Sequence, residues 1–417
     1  MSPRAFIVLL LASALVIRMG LTLALRDPHR FHGSQLGSDA VEYNQLALRV
    51  ARGEGYVNDA GKPSSFRAPG FPLLLSLLYG VFGENYLAVY TSLAMLGALA
   101  SLLAFLLASE LLCPARARLA GLLAAVYFPH AYFATVFASE NLFAVCIGLG
   151  LWLYLRYLKT ERPAFLAAAG LALGCGTLTR TFAVLLLPLL ALVVAWRDYR
   201  RHGVRWWSQA VFAVAFLAPV VPWTARNYTV HKAFVLVATN GGNTFYGGNN
   251  DLVLSEPAHW GGWLPTATVR GGVRPEAGLE EVPRDQAQWR LGMAWVRANL
   301  PRLPLLLVFK FGRLWLPELA SGNRSFVVLQ SVTYLPFLLL FVLAAVRSVR
   351  ARRYRHPLWV SLHVAVLATV ATALIFWGSP RFRDANAPLL MVYAAMEFPE
   401  RILYSIRFII PRRAPSD

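Results

Sequence analysis

The chain has 417 residues, of which 57% are hydrophobic, and its mean hydropathy is +0.51. This apolar content exceeds that of ordinary water-soluble domains, and it falls in repeated runs of about 20 residues, the length that crosses a bilayer. The net charge of +19 does not indicate nucleic-acid binding, because the basic residues concentrate between apolar runs, as the positive-inside rule describes. The sequence therefore predicts an all-α polytopic membrane protein.

The apolar runs predict a bundle of about ten transmembrane helices with both termini in the cytoplasm. The first run is too long for a signal-peptide core and should remain in place. The predicted spans are residues 5–25, 86–112, 118–135, 140–158, 164–179, 181–196, 207–225, 326–346, 357–377 and 386–404. The basic residues expected in the cytoplasm are Arg116 and Arg118, those within 156–162, 197–205 and 347–355, and Arg412 and Arg413 in the tail.

Two hydrophilic segments, residues 26–85 and 226–325, are expected to face outward from this single membrane domain. The first contains a predicted helix from Ala40 to Arg52, followed by the turn FRAPGF and a short apolar helix. The second is rich in Gly and Asn and contains a predicted helix through Trp289 and Trp295. Both segments bring polar groups to the same side of the membrane.

Residues 300–317 within the second segment are apolar but carry Lys310 and Arg313 near the middle. Counting this run as a span would place the basic sequence RSVRARRYRH on the outside, against the positive-inside rule. We therefore expect an amphipathic helix in the outer interface, where basic side chains can reach water or phosphate.

The cysteines do not indicate a redox or metal centre. Cys113, Cys146 and Cys175 are widely separated and lie in or beside apolar runs, which favours neither a disulfide framework nor a thiolate site.

The acidic candidates are Asp39 and Glu42 in SDAVEYNQ, together with Glu140 in FASENLF. Asp39 and Glu42 also fit a capping box at the start of the predicted helix, and Glu140 fits a first-turn residue behind a Ser139 cap. Glu140 lies between apolar runs, however, where an ionisable group is costly and usually functional. Both interpretations stay open at this point.

Several arginines lie where the positive-inside rule would not place them, at the outer ends of predicted spans. A single arginine could be an interfacial anchor, and Arg18 inside the first span could extend its charge to the interface. Several on one surface favour an anionic ligand, and a phosphate at the membrane surface is the natural candidate. They are Arg180, Arg226, Arg381 and Arg383, and Arg67 in the first outer segment lies on the same surface.

The sequence resembles the glycosyltransferase superfamily C (GT-C), nearer to the aminoarabinose transferase and protein O-mannosyltransferase-like branch than to oligosaccharyltransferases. The similarity extends from the first span to the last. The segments that carry it are SDAVEYNQLALRVARGEGY, FRAPGFPLLLSLLYGVFG, ASENLF, GTLTRTFAVLLLP, PWTARNYTVHKAF, NGGNTFYGGNN and RFRDANAPLL. Each motif is degenerate, and their shared order and spacing make the match specific.

The resemblance implies transfer of a sugar from a polyprenyl-phosphate donor to an envelope lipid, glycan or protein on the outer side of the plasma membrane. It carries the first acidic position onto Asp39, as general base, and the second onto Glu140. Arg67, Lys310, Arg381 and Arg383 would neutralise the donor phosphate. Further residues expected to line the site are Glu42, Tyr43, Arg180, Arg226 and Asn249.

Some properties stay open in the sequence. Phe66 and Arg67 stand where the aminoarabinose branch has Glu and Lys, which leaves the donor sugar unassigned. A divalent cation held by Asp39 and Glu140 is compatible with the pattern but not demanded by it. The alternatives are a flippase or transporter for an anionic lipid-linked sugar and an O-antigen ligase or polymerase. The apolar interiors of most spans argue against a transport path, and the acidic first loop favours GT-C over both.

Overall fold

The computed structural model describes residues 1–25, 35–201, 203–270, 278–317 and 324–399, and these residues are largely helical. The all-α prediction is confirmed. The longer helices are α1 (Pro3–Leu25), α2 (Gln35–Ala51), α3 (Gly70–Phe82), α4 (Tyr86–Ser109), α5 (Pro114–Val126), α6 (Glu140–Thr160), α7 (Pro163–Thr179), α8 (Leu186–Arg201), α9 (Trp206–His231), α10 (Glu281–Ala298), α11 (Leu303–Trp315), α12 (Arg324–Arg350), α13 (Pro357–Ile375) and α14 (Ala387–Glu397).

Seven helical stretches in the described part of the chain are long and apolar enough to cross a membrane. They are Pro3–Leu25, Tyr86–Ser109, Glu140–Thr160, Thr181–Arg201, Trp206–His231, Val327–Arg350 and Pro357–Ile375. Three shorter apolar helices accompany them: α3, α7 and α14. The chain is therefore a multi-pass membrane protein, and the count of about ten spans stays a prediction.

The predicted span 118–135 is wrong as one continuous helix. Helix α5 ends at Val126, Tyr127 is extended, and two short turns follow at Phe128–Ala131 and Tyr132–Thr135. Pro129 lacks an N–H and would clash with the preceding turn if α5 continued, so the helix breaks.

The break in α5 explains the position of Arg18, which does not extend to the interface. Its guanidinium is buried and donates to the freed carbonyls of Ala124 and Ala125, both at 3.2 Å. A buried helix end needs such donors for its last carbonyls.

Two other predicted boundaries differ from the structure. Helix α2 begins at Gln35 rather than Ala40, so Asp39 lies in its second turn and is not a helix cap. Helix α14 ends at Glu397. Outside the described residues lie 26–34 of the first predicted outer segment, 400–404 of the last predicted span, and the tail with Arg412 and Arg413.

Helix α14 occupies the centre of the bundle, where it contacts α4, α5 and α12. Every residue from Ala387 to Met396 is buried, as expected for a helix that is apolar on all sides. By contrast, α12 exposes large apolar side chains such as Val332 and Leu339, which suit contact with lipid.

Consecutive helices are joined at one end of the bundle by short connections at residues 110–113, 161–162, 203–205 and 351–356, and basic residues lie in these connections or, for the first, just after it at Arg116 and Arg118. The opposite end therefore holds the first residue of α6, the last residues of α7 and the segment that follows α13. Helix α2 and the loop at residues 52–69 lie at this same end, because Arg67 and Asp39 contact side chains there.

Candidate functional site

Six charged side chains meet at the end of the bundle opposite the basic connections. Three are carboxylates and three are guanidinium groups, and they come from α2, the loop before α3, the start of α6, the end of α7 and the short helix Pro380–Asp384. We call them the charge cluster: Asp39, Glu42, Arg67, Glu140, Arg180 and Arg381. The formal charges of the cluster cancel.

Asp39 lies between two arginines. Its Oδ1 is 2.8 Å from Arg67 Nη2, and its Oδ2 is 2.9 Å from Arg381 Nη1. Burial alone would raise the pKa of the Asp39 carboxyl, but the charges of Arg67 and Arg381 outweigh it and hold that pKa below its usual range. The low pKa keeps the carboxyl anionic. The side chain is 15% exposed, so solvent can reach it.

Glu140 is the fully buried carboxylate of the charge cluster. Its Oε1 accepts from Arg180 Nη1 and from Arg381 Nε, both at 2.7 Å, while its Oε2 has no hydrogen-bond partner among the described residues. Ser139 does not cap α6 with its side chain; its hydroxyl instead accepts from Arg180 Nη1 at 3.4 Å. Arg381 therefore bridges Asp39 and Glu140, which are about 100 residues apart in the sequence.

Arg67 completes the charge cluster on the side of α2. Its Nε donates to Glu42 Oε2 at 2.6 Å, and its guanidinium lies 5.5 Å from the centre of the Tyr43 ring. Sequence reasoning had selected Glu42 and Tyr43, and the structure brings both of them to Arg67.

The position of Arg67 depends on a close approach of α3 to α7. A Cβ added to Gly70 would lie 2.8 Å from Thr179 Oγ1 and 3.0 Å from the Leu178 carbonyl, so only glycine fits there. This contact places the start of α3, and Arg67 before it, beside the end of α7 that carries Arg180.

A second set of contacts fixes the loop before Arg67. Glu281 at the start of α10 accepts from the Ser64 hydroxyl at 2.5 Å and from the Ser65 amide at 2.8 Å. Arg226 at the end of α9 donates to the Ser64 carbonyl at 2.7 Å and to the Tyr56 carbonyl at 3.0 Å. Arg226 thus holds the loop rather than joining the charge cluster.

Besides Arg226, three predicted site residues lie away from the charge cluster: Lys310, Asn249 and Arg383. Lys310 is buried in α11, where its Nζ donates to Asn249 Oδ1 at 2.9 Å and to the carbonyl of Leu374 at 3.1 Å. Burial lowers the pKa of Lys310 to about 7. Arg383 donates through Nε and Nη2 to Asp384 and through Nη1 to the carbonyl of Leu314.

A cavity of about 600 Å³ opens beside the charge cluster. Glu42 and Arg67 form its wall on the cluster side, and residues of α10 such as Arg284 and Gln288 form the opposite wall. Its volume lies within the usual range for small-molecule sites.

Residues 66–223 match the family model described as dolichyl-phosphate-mannose-protein mannosyltransferase. The matched range includes Arg67, Glu140 and Arg180 of the charge cluster and covers less than half of the chain. None of the curated proteins gives a significant match to the sequence.

Among solved structures, the archaeal oligosaccharyltransferase AglB from Archaeoglobus fulgidus, in complex with an inhibitory peptide and a dolichol-phosphate, aligns with a TM-score of 0.57. The identity is 14%, and the alignment covers 99% of this chain and 53% of that chain. The chain has a GT-C fold. The resemblance predicted from the sequence is confirmed, and the chain spans about half the length of the oligosaccharyltransferase it matches.

A further similar structure is that of ArnT from Cupriavidus metallidurans bound to undecaprenyl phosphate, with a TM-score of 0.44 and 15% identity. That alignment covers 96% of this chain and 79% of that chain.

The carboxylates of this GT-C chain do not fit a divalent cation as they are arranged. Both oxygens of Asp39 and one oxygen of Glu140 accept from guanidinium groups, so of the predicted pair of ligands Glu140 Oε2 alone has no partner among the described residues. The part of the chain that the structure describes contains no group of three His, Cys, Asp or Glu side chains placed to hold a metal. We derive no step through a metal ion.

Sequence reasoning missed the residues that join the two loops at this end of the GT-C bundle. Glu281 had a weak signal, since acidic residues favour the first turn of a helix. Its contact with Ser64 and Ser65 crosses more than 200 residues, and no local pattern indicates it. The cavity wall formed by Trp263 and Arg284 was missed for the same reason.

Proposed function

We propose that this chain is an integral-membrane glycosyltransferase that moves a sugar from a polyprenyl-phosphate donor to a cell-envelope acceptor on the extracytoplasmic side of the plasma membrane. The observation that carries the proposal is Asp39, an accessible carboxylate held between Arg67 and Arg381 at one end of an apolar helical bundle. The match of residues 66–223 to a family of dolichyl-phosphate-mannose-dependent transferases supports it.

The proposed step is a displacement at the anomeric carbon of the donor sugar. An acceptor hydroxyl or amine forms the new bond to that carbon as the bond to the phosphate oxygen breaks, and the phosphate leaves with the electron pair. Asp39 takes the proton of the attacking group. A phosphate is a stable leaving group, so it needs cations nearby more than it needs a proton.

Arg67 and Arg381 are the cations closest to Asp39 and would bind the donor phosphate. Each already binds a carboxylate, so an arriving phosphate competes with Asp39 for the same guanidinium groups. As the phosphate draws them away, the pKa of Asp39 returns toward its ordinary value, and the carboxylate becomes a better base. Donor binding would thus prepare the base for the acceptor.

Glu140 has a different role in this proposal. It is fully buried and contacts Arg180 and Arg381 through one oxygen, so it keeps Arg381 in place and oriented toward Asp39. We expect Glu140→Gln to lower turnover by a factor similar to, or smaller than, the factor for loss of the base Asp39. A fall in protein yield alone would assign Glu140 to structure.

The distribution of charge supports the proposed membrane orientation. The basic connections lie at one end of the bundle and the charge cluster lies at the other. Since positively charged connections remain in the cytoplasm, the charge cluster faces outward. The lipid tail of the donor would stay in the hydrocarbon region while its phosphate reaches Arg67 and Arg381 at the interface.

The test is an assay of the purified full-length protein with a panel of polyprenyl-phosphate sugars radiolabelled in the sugar, with a cell-envelope extract added as the source of acceptor. We expect one donor to be consumed, with release of polyprenyl phosphate, and we expect consumption to require Asp39. A protein that moves such a lipid across vesicle membranes without consuming it would be a flippase, and the proposal would be wrong.

A further inference from the structure

The cavity beside the charge cluster has a wall from each of two distant parts of the chain. The first outer segment contributes Arg49 of α2 and Arg67. The second outer segment contributes Trp263 together with Arg284 and Gln288 of α10. A ligand in this space lies against Arg67, and Arg67 contacts Asp39 at 2.8 Å. The cavity therefore lies next to the proposed base, with Arg67 between the two.

Most charges that line the cavity have protein partners. Arg49 lies 2.7 Å from Asp59, and Arg67 binds Asp39 and Glu42. The lining carboxylate of Glu281 accepts hydrogen bonds from the loop of Ser64 and Ser65.

Arg284 differs from the other charged residues of the lining. Its guanidinium makes no hydrogen bond or ion pair with any other residue that the structure describes. It is half-buried on the first turn of α10, where the helix dipole adds positive potential. Within the described residues Arg284 interacts electrostatically with its neighbours Glu280 and Asp285 but forms no ion pair with either, so a ligand can still supply a contacting anion.

The uncharged residues that line the cavity suit the ring of a sugar. Phe66 and Trp263 present aromatic surfaces, and the Trp263 Nε1 donates to the Asn243 carbonyl at 3.2 Å, which fixes the indole. Gln45 and Gln288 supply side-chain amides. Aromatic faces pack against the C–H face of a sugar, while amides bond its hydroxyl groups.

We propose that this cavity binds the acceptor, and that the acceptor is an anionic glycan whose carboxylate or phosphate group pairs with Arg284. This inference rests on the proposed function, because it assigns the second substrate of the same site. The acceptor hydroxyl would enter past Arg67 and Glu42 toward Asp39, with its anionic group held at the far wall by Arg284.

The experiment measures binding of matched soluble probes to the purified full-length protein by calorimetry. The probes are a short glucuronate oligosaccharide, the corresponding neutral glucose oligosaccharide, a mannose phosphate and an acidic peptide. The variants are Arg284→Gln and, as a control, Arg290→Gln, which changes an exposed arginine on the same helix that does not line the cavity.

We expect an anionic sugar to bind wild-type protein roughly tenfold to a hundredfold more tightly than the neutral one, as a charge-assisted hydrogen bond allows. Arg284→Gln should abolish this preference and Arg290→Gln should keep it. A preference for glucuronate would assign a carboxylate, and one for mannose phosphate would assign a phosphate.

Several outcomes would overturn the inference. They are equal binding of charged and neutral sugars, no binding of any sugar probe, a preference that survives Arg284→Gln, or tighter binding of the acidic peptide. Polyprenyl-phosphate binding by the same variants separates this result from the proposed function. If the donor binds and is consumed while the anionic preference is absent, only the acceptor assignment fails; if the donor does not bind, the proposed function fails.

Discussion

Arg381 and Arg383 are two residues apart and both largely buried, yet they contact different parts of the molecule. Arg381 bridges Asp39 of α2 and Glu140 of α6. Arg383 binds the adjacent Asp384 and lies 3.7 Å from the centre of the Tyr334 ring. Side chains two positions apart on a helical turn point to different sides, which explains the divergence.

The difference shows which arginine an anion can reach. Each of the three nitrogens of Arg383 is bonded to Asp384 or to a main-chain carbonyl in the core. Arg381 is held by carboxylates, one of them the partly exposed Asp39, and an incoming phosphate can compete with a carboxylate. In our proposal the motif RFRD therefore supplies one residue for the donor phosphate and one for the fold.

The largest expected effect is on the base. Asp39→Asn keeps the shape of the side chain but removes the proton acceptor, so we expect turnover to fall by about 10²–10⁴-fold. Donor binding should be retained, because the competitor for Arg67 and Arg381 is lost. Glu84→Gln, which changes an exposed ion pair with Arg52, is the control. Near-normal turnover of folded Asp39→Asn would exclude Asp39 as the base.

The next largest effect is on protein stability, and it distinguishes Arg383 from Arg381. Arg383→Ala leaves Asp384 charged in the core without its cation, with the Tyr127 hydroxyl still donating to it at 2.6 Å, and we expect a loss of about 3–5 kcal/mol in the free energy of unfolding. Adding Asp384→Asn should restore part of it. Thermal unfolding in detergent measures both. A stable Arg383→Ala protein with weakened donor binding would return Arg383 to the phosphate site, where the sequence had placed it.

The corresponding experiment on Arg381, together with Arg67, measures donor affinity. Arg381→Gln and Arg67→Gln should each weaken polyprenyl-phosphate binding by roughly tenfold to over a hundredfold, since a charge-assisted hydrogen bond contributes about 1.5–3 kcal/mol. Arg381→Lys should recover only part, because an ammonium lacks the planar fork. Unchanged affinity in both glutamine variants would move the clamp to Arg180 or Lys310.

A smaller effect tests how the charge cluster is positioned. Gly70→Ala forces a Cβ against Thr179 and should cost about 1–3 kcal/mol while displacing Arg67 and lowering turnover. Gly80 lies on the same helix with no atom within 4 Å of an added Cβ. Gly80→Ala should be neutral or stabilising by up to about 1 kcal/mol. Equal effects of the two substitutions would contradict the close contact of α3 with α7.

The smallest effect is on pH dependence. Arg67 and Arg381 hold the pKa of Asp39 low. The base of the free enzyme therefore stays deprotonated until the pH falls below about 3.9, the ordinary pKa of an aspartate. We expect kcat/KM to be level down to about pH 5. Arg381→Gln removes a cation, raises that pKa and shifts the acid limb to higher pH. An acid limb that does not move would assign it to another group.

The sequence predicted much of the fold because membrane helices carry their signal locally. Apolar runs marked α1, α4, α6 and α13 within a few residues. The orientation inferred from the basic connections stays a prediction. The break at Tyr127 was missed although Pro129 was visible, because the apolar run continues through it. The count of spans depends on short helices such as α7, whose length alone does not decide whether they cross.

The site was predicted in part. Glu140 carried its signal as a charge between apolar runs, Asp39 and Arg67 were indicated by the resemblance, and the structure brings the three together. Which of Arg381 and Arg383 would face Asp39 could not be read from the sequence, since it depends on the direction of one helical turn. The role of Glu281 depended on a contact across more than 200 residues.

The most direct test of this account is a structure of the protein with a polyprenyl phosphate bound. We predict that the phosphate oxygens lie within about 3 Å of the Arg67 and Arg381 guanidinium groups, with the Asp39 carboxylate released from at least one of them. A phosphate bound to Arg383 or Lys310, with both ion pairs of Asp39 intact, would contradict it.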